Sequence, residues 1–223
     1  MRPEFGQKLD KNQRWLKRLE KPLGWIAIPN LAVIVITLQA LGFLFLLNNP
    51  IWAMRLALLP HAALHGEYWR VVTFLALPLS PSPVWMFFVL WFLYFILNQL
   101  EAEWGAFRLT FYVLVSWALT VAYSLTFDYP VLQIGHFEST LFLAAAALFQ
   151  EQEIRVFFAI PVKIKWLAWL TGVMVLYEFF RGEWLDRFYL LSIYAGFLLF
   201  FGPSATAQIR LAYRRWDYRR KIR

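Results

Sequence analysis

The chain carries few residues that could do chemistry. It has three histidines, His61, His65 and His136, and no cysteine, which excludes disulfides, thiolate metal sites and cysteine nucleophiles. His61 and His65 stand four apart in the run His-Ala-Ala-Leu-His-Gly-Glu, on one face if that piece is helical. With Glu67 or Glu138 they could hold a metal. The run lacks the Glu of a His-Glu-x-x-His site, so it reads as two interfacial histidines in a wet loop, with no metal and no other cofactor. His136, Glu138 and Ser139 open a later apolar run. A hydroxyl beside a base is what a nucleophile needs. A carboxyl among helices needs a partner, and His136, Ser139 or an outer-loop Arg could supply it. The alternative is that His136 and Glu138 simply end the helix at a water interface.

These residues have to be positioned by a membrane domain. Of the 223 residues, 61% are hydrophobic and 20% aromatic, whereas a soluble domain is about 45–50% apolar. The excess must face something other than water. Six apolar runs follow one another, at 31–47, 84–97, 109–127, 134–149, 164–180 and 188–201. Roughly 20 apolar residues cross ~30 Å of hydrocarbon, so the expectation is an all-α, polytopic protein with six transmembrane helices. The fourth run holds His136, Glu138 and the small residues Ala144 to Ala147. Intramembrane charge faces a bundle interior and small residues allow close helix contact, so this run is expected at the centre.

Charge gives the orientation. With six spans and a cytoplasmic start, eighteen of the 22 Lys and Arg fall inside, and Arg55, Arg70, Arg181 and Arg187 fall outside. That bias satisfies the positive-inside rule and puts both ends in the cytoplasm. The expected layout is a basic arm over 1–28, a membrane domain over 29–203 and a basic tail over 204–223. Within the arm, 9–21 reads as an interfacial helix with Leu9, Trp15, Leu16 and Leu19 on the lipid side. Polar, charged residues precede the first apolar run, which is not a signal-peptide pattern. In the tail, Tyr213, Trp216 and Tyr218 interleave with Arg and Lys. Such a pattern can bind nucleic acid, but after a span it reads as a contact to anionic lipid; no nucleic-acid partner is expected. The segment 48–83 is apolar but broken by five prolines. It reads as a large outer loop of short helices partly sunk in the outer leaflet, and long structured loops are often functional.

Three stretches in this frame resemble the rhomboid superfamily of intramembrane serine proteases and their inactive relatives. GEYWRVVTF at 66–74 is similar to the family's Trp-Arg motif, carried here by Trp69 and Arg70. QLEAEWGAFR at 99–108 resembles the turn after the second helix, with Glu101 and Gly105. IPVKIKWL at 160–167 is similar to the segment that leads into the fifth helix. The similarity covers roughly residues 25–203. Without the family, Trp69 and Arg70 suit a loop anchored at headgroup level, and Glu101 and Gly105 suit a helix cap and turn.

What the resemblance implies about activity is negative. Active members use a Ser in Gly-x-Ser-Gly on the fourth helix and a His on the sixth. Here the fourth helix places Glu138 at the nucleophile position, or Ser139 after a one-residue shift, without the following Gly. The sixth places Ile193 where the His belongs, and no His follows residue 136. Trp85 and Val89 fall where the family has its oxyanion-side His and Asn. An apolar side chain cannot act as base or stabilise an oxyanion. The expected function is that of a rhomboid-like pseudoprotease, which binds transmembrane helices of other membrane proteins without cutting them. It would sit in a bacterial inner (plasma) membrane. Two alternatives stay open: an active intramembrane serine protease using Ser139, and a structural subunit of a larger membrane complex. A transporter finds no support, because no internal repeat is evident.

Overall fold

Hydrocarbon offers the backbone no hydrogen-bond partner, so a segment inside it must satisfy its own N–H and C=O groups as a helix. In the computed structural model all six apolar runs are helical. The structure describes residues 14–149, 153–156 and 160–202. The tail after 203 and the arm before 14, Leu9 included, lie outside the described residues.

Helix α1 (Arg14–Leu23) and a 3-10 turn (Gly24–Ile26) lead into α2 (Leu31–Asn48). The loop that follows contains α3 (Ile51–Leu56), α4 (Pro60–Leu64), α5 (Arg70–Thr73) and a 3-10 turn (Phe74–Ala76). Then come α6 (Pro83–Trp104), α7 (Ala106–Phe127), α8 (Gly135–Leu148), a β-hairpin, α9 (Ile164–Arg181) and α10 (Trp184–Gly202). The protein is all-α in class, as expected, with one short β-hairpin between α8 and α9. Its strands, β1 (Glu153–Val156) and β2 (Ile160–Lys163), pair antiparallel from Glu153 opposite Lys163 to Val156 opposite Ile160. The cause is local: Ile154, Val156, Ile160 and Val162 recur at a spacing of two on the paired strands, the period and residue type of a strand.

Four helices, α2, α6, α7 and α10, are long and apolar enough to cross a membrane. The other two are marginal on those grounds. α8 has 14 residues, about 21 Å at 1.5 Å per residue, against ~30 Å of hydrocarbon. α9 has 18 residues but includes Lys165, Glu178 and Arg181.

The six helices run alternately between two ends. At the loop end, Leu58 bridges Val131 before α8, and His136 at the start of α8 meets Glu178 near the end of α9. At the hairpin end, the Trp104 ring packs on Phe200 and Phe201, and the Asn30 N–H donates to Glu101 Oε1 at 2.9 Å. α8 packs between α6 and α9, and its Ala144, Ala145 and Ala146 are buried, as small residues at a helix contact would be.

One close approach ties the loop to the bundle. A Cβ at Gly42 of α2 would fall 1.8 Å from the carbonyl oxygen of Ala76, so only glycine lets α2 lie against the Phe74–Ala76 turn. The interfacial reading of α1 needs correction at one residue. Leu16 is 0% exposed and belongs to the main hydrophobic cluster. This chain's own core, not lipid, takes up its apolar side chain.

Candidate functional site

The site grows from the first two turns of α8. At about 100° per residue, His136 and Ser139 share one face and Glu138 points the other way. The neighbours of α8 on those two faces therefore decide the chemistry.

On the His136 face lie α9 and α10. His136 Nε2 is 3.5 Å from Glu178 Oε2, and its ring stands edge-on to Tyr189 and Tyr194. The Ser139 hydroxyl lies 2.7 Å from the His136 carbonyl oxygen, within its own helix, and is hydrogen-bonded to the Tyr194 hydroxyl. The serine is therefore held by a backbone carbonyl and a phenol, and the imidazole is engaged with a carboxylate on α9. Neither arrangement makes His136 a base for Ser139. Ile193, beside Tyr194 on α10, is fully buried in the hydrophobic cluster and brings no polar atom to the site.

On the other face, Glu138 is 8% exposed and Gln39 of α2 is 1% exposed. The Gln39 amide donates to Glu138 Oε1, and the other amide atom, Oε1, has no partner among the described residues. The partner of Glu138 is thus Gln39, and none of the three groups expected from the sequence. His136 turns to Glu178, Ser139 to Tyr194, and Arg70 to Glu67. A polar residue in the middle of the α2 apolar run was the available signal, since such residues face bundle interiors.

Above these pairs, at the loop end, a cavity of about 400 Å³ is lined by Tyr129, His136, Glu178, Arg181, Asp186 and Tyr189 among others. Tyr129 donates to Asp186 Oδ1 at 2.8 Å. Burial, and next this bond to a carboxylate, push the Tyr129 phenol above its usual range. Tyr123 donates to the Leu185 carbonyl at 2.7 Å. Arg181 donates to the Tyr177 hydroxyl at 2.7 Å. Most polar groups here are already matched within the chain, which makes the cavity a polar cap over the bundle.

The loop residues divide. Trp69 is 56% exposed, as a lipid-facing anchor would be, but Arg70 is 7% exposed. Its Nη1 donates to the carbonyls of Met54, Arg55 and Ala57, at 2.6, 2.9 and 2.8 Å, and its Nε donates to Glu67. Arg70 therefore turns inward: it satisfies the orphan carbonyls at the end of α3 and holds the loop together from inside. Thr73 adds a bond to the Leu56 carbonyl, and Trp117 of α7 donates to the Val71 carbonyl at 2.7 Å. His61 and His65 stack at 4.1 Å between ring centroids. Among the described residues, no three His, Asp or Glu side chains converge in a geometry for a metal. At the hairpin end, Glu101 accepts from Asn30, and Gly105 makes the turn between α6 and α7 with φ +83°.

A scan against protein-family models finds no match to this chain, and a search of curated proteins finds none either.

Proposed function

We propose that the chain is a rhomboid-like pseudoprotease, a membrane scaffold that binds transmembrane helices of partner proteins and does not cut them. The observation that carries this reading is the state of Ser139. Its hydroxyl is taken up by the His136 carbonyl and the Tyr194 hydroxyl, while His136 Nε2 faces Glu178. Acyl transfer by serine needs a base within reach of the hydroxyl, and the fully buried Ile193 supplies none.

Six spans with both ends in the cytoplasm, in a bacterial inner membrane, are part of this reading. The alternating course of the six helices supports the count, and the Lys and Arg distribution supports the orientation. The shortness of α8 is no obstacle, because a central helix surrounded by others can end below the bilayer surface under a polar cap. Client helices would dock on the apolar faces that α6 and α9 turn outward. Trp85, Phe87 and Trp91 on α6 and Trp166 and Phe180 on α9 are exposed, and α8 between them carries the polar groups that a client's own polar residue could meet.

The test is labelling of the purified protein with a serine-reactive fluorophosphonate, beside Ser139→Ala and an active intramembrane serine protease. No labelling while the control reacts is the expected result. Labelling lost in Ser139→Ala overturns the reading. Photo-crosslinking from position 87 or 166 in membranes should then capture partners through their transmembrane helices.

A further inference from the structure

On the hairpin half of the bundle an apolar groove of about 500 Å³ lies between α8, α9 and α10. Ala146 and Ala147 of α8, Ala168 and Gly172 of α9 and Phe197 of α10 line it, and Lys165 stands at its hairpin end. The small side chains leave the space open: a Cβ at Gly172 would meet nothing within 4 Å.

Length and charge identify an occupant. On α9 the lining runs from Lys165 to Leu176, about 16 Å at 1.5 Å per residue, or half of a ~30 Å hydrocarbon layer. That is the depth to which one acyl chain reaches from one leaflet. At the shallow end, α9 starts with no side-chain cap on its first N–H groups. A helix N-terminus attracts phosphate, and Lys165 adds a cation beside it.

We propose that this groove holds one acyl chain of an anionic phospholipid, with the phosphate at the N-terminus of α9 beside Lys165. This rests on α9 standing across the bilayer, as in the reading above. The lipid fills the gap between α9 and α10 and fastens the start of α9 at headgroup depth.

The experiment is native mass spectrometry of the full chain, released from vesicles of phosphatidylglycerol or of phosphatidylcholine. The parent should retain one phosphatidylglycerol per chain and little phosphatidylcholine. Gly172→Phe, which fills the groove, should lose it. Lys165→Gln should weaken retention about fivefold, the equivalent of about 1 kcal/mol per basic residue near a membrane. Leu170→Phe, on α9 but off the groove, should retain it. Equal retention of both lipids, or retention by Gly172→Phe at the parent level, overturns the proposal. Met174→Cys in sealed vesicles, probed with an impermeant maleimide, separates the two ideas. Full reaction sinks the placement of α9 in the bilayer and the groove with it; no reaction together with no retained lipid sinks the groove alone.

Discussion

Gln39 on α2 and Glu138 on α8, 99 positions apart in sequence, are hydrogen-bonded inside the helix bundle, and both are buried. The pair joins the first long helix to the central one, with an amide as the donor to the carboxyl. Removing only Gln39 strands a buried carboxyl. Gln39→Leu should therefore cost about 1–2 kcal/mol, the size of an interhelical polar contact in a membrane. Gln39→Leu combined with Glu138→Leu should recover most of the loss, because replacing both partners removes the stranded group. SDS-titrated unfolding in mixed micelles measures both; equal losses in the single and double variants would contradict the coupling.

Arg70 is the loop's internal fastener. Arg70→Ala leaves the Met54, Arg55 and Ala57 carbonyls without their shared donor, and should cost about 3 kcal/mol. Arg70→Lys keeps the charge but not the planar fork, so its loss should be intermediate. Limited proteolysis within residues 49–82 is the readout: cleavage should rise sharply in the Ala variant, while cleavage between α6 and α7 stays unchanged.

Two glycines do different work. Gly42→Ala drives a methyl into the Ala76 carbonyl and should cost about 2 kcal/mol or more by overpacking. At Gly105 there is room for a Cβ but φ is +83°, so Gly105→Ala should cost closer to 1 kcal/mol, from backbone strain alone. Replacing Ala76 with Gly removes its methyl but not its carbonyl, so it should not rescue Gly42→Ala.

Tyr129 should give the protein an alkaline weakness. Its phenol holds its proton to higher pH in the folded chain than in the unfolded one, where it titrates near pH ~10. The stability it contributes is complete below that pH and is lost as pH rises through the native value. Tyr129→Phe should flatten the fall in stability above about pH 10. A parent and variant with identical alkaline slopes would show that the phenol is not held by burial and Asp186.

Much of the helix layout was legible in the sequence, because apolar runs in lipid have one backbone solution. The apolar run 31–47 forms the helix Leu31–Asn48, and the run 164–180 forms Ile164–Arg181. The strand-forming alternation around Ile154 and Val162 was hidden by its short length between two apolar runs. The candidate site was legible only as a set of residues. His136, Glu138 and Ser139 stand out by type, but their partners Glu178, Gln39 and Tyr194 come from three other helices, and no spacing rule connects them. Arg70 is a related case. A Trp-Arg pair at a loop end suggests two headgroup anchors, yet the carbonyls left over by α3 draw the guanidinium inward.

The bond between Arg70 and the α3 carbonyls, the Thr73 to Leu56 bond and the seat of Ala76 on Gly42 all lie within one stretch of the chain. They can form as soon as that stretch has left the ribosome, before α6 is made. The bonds from Asn30 to Glu101 and from Gln39 to Glu138 must wait for later helices. Short-range contacts close first because they enclose little chain. Biosynthesis would then set down α2 with its loop as a finished template, and each later helix would be fitted against it.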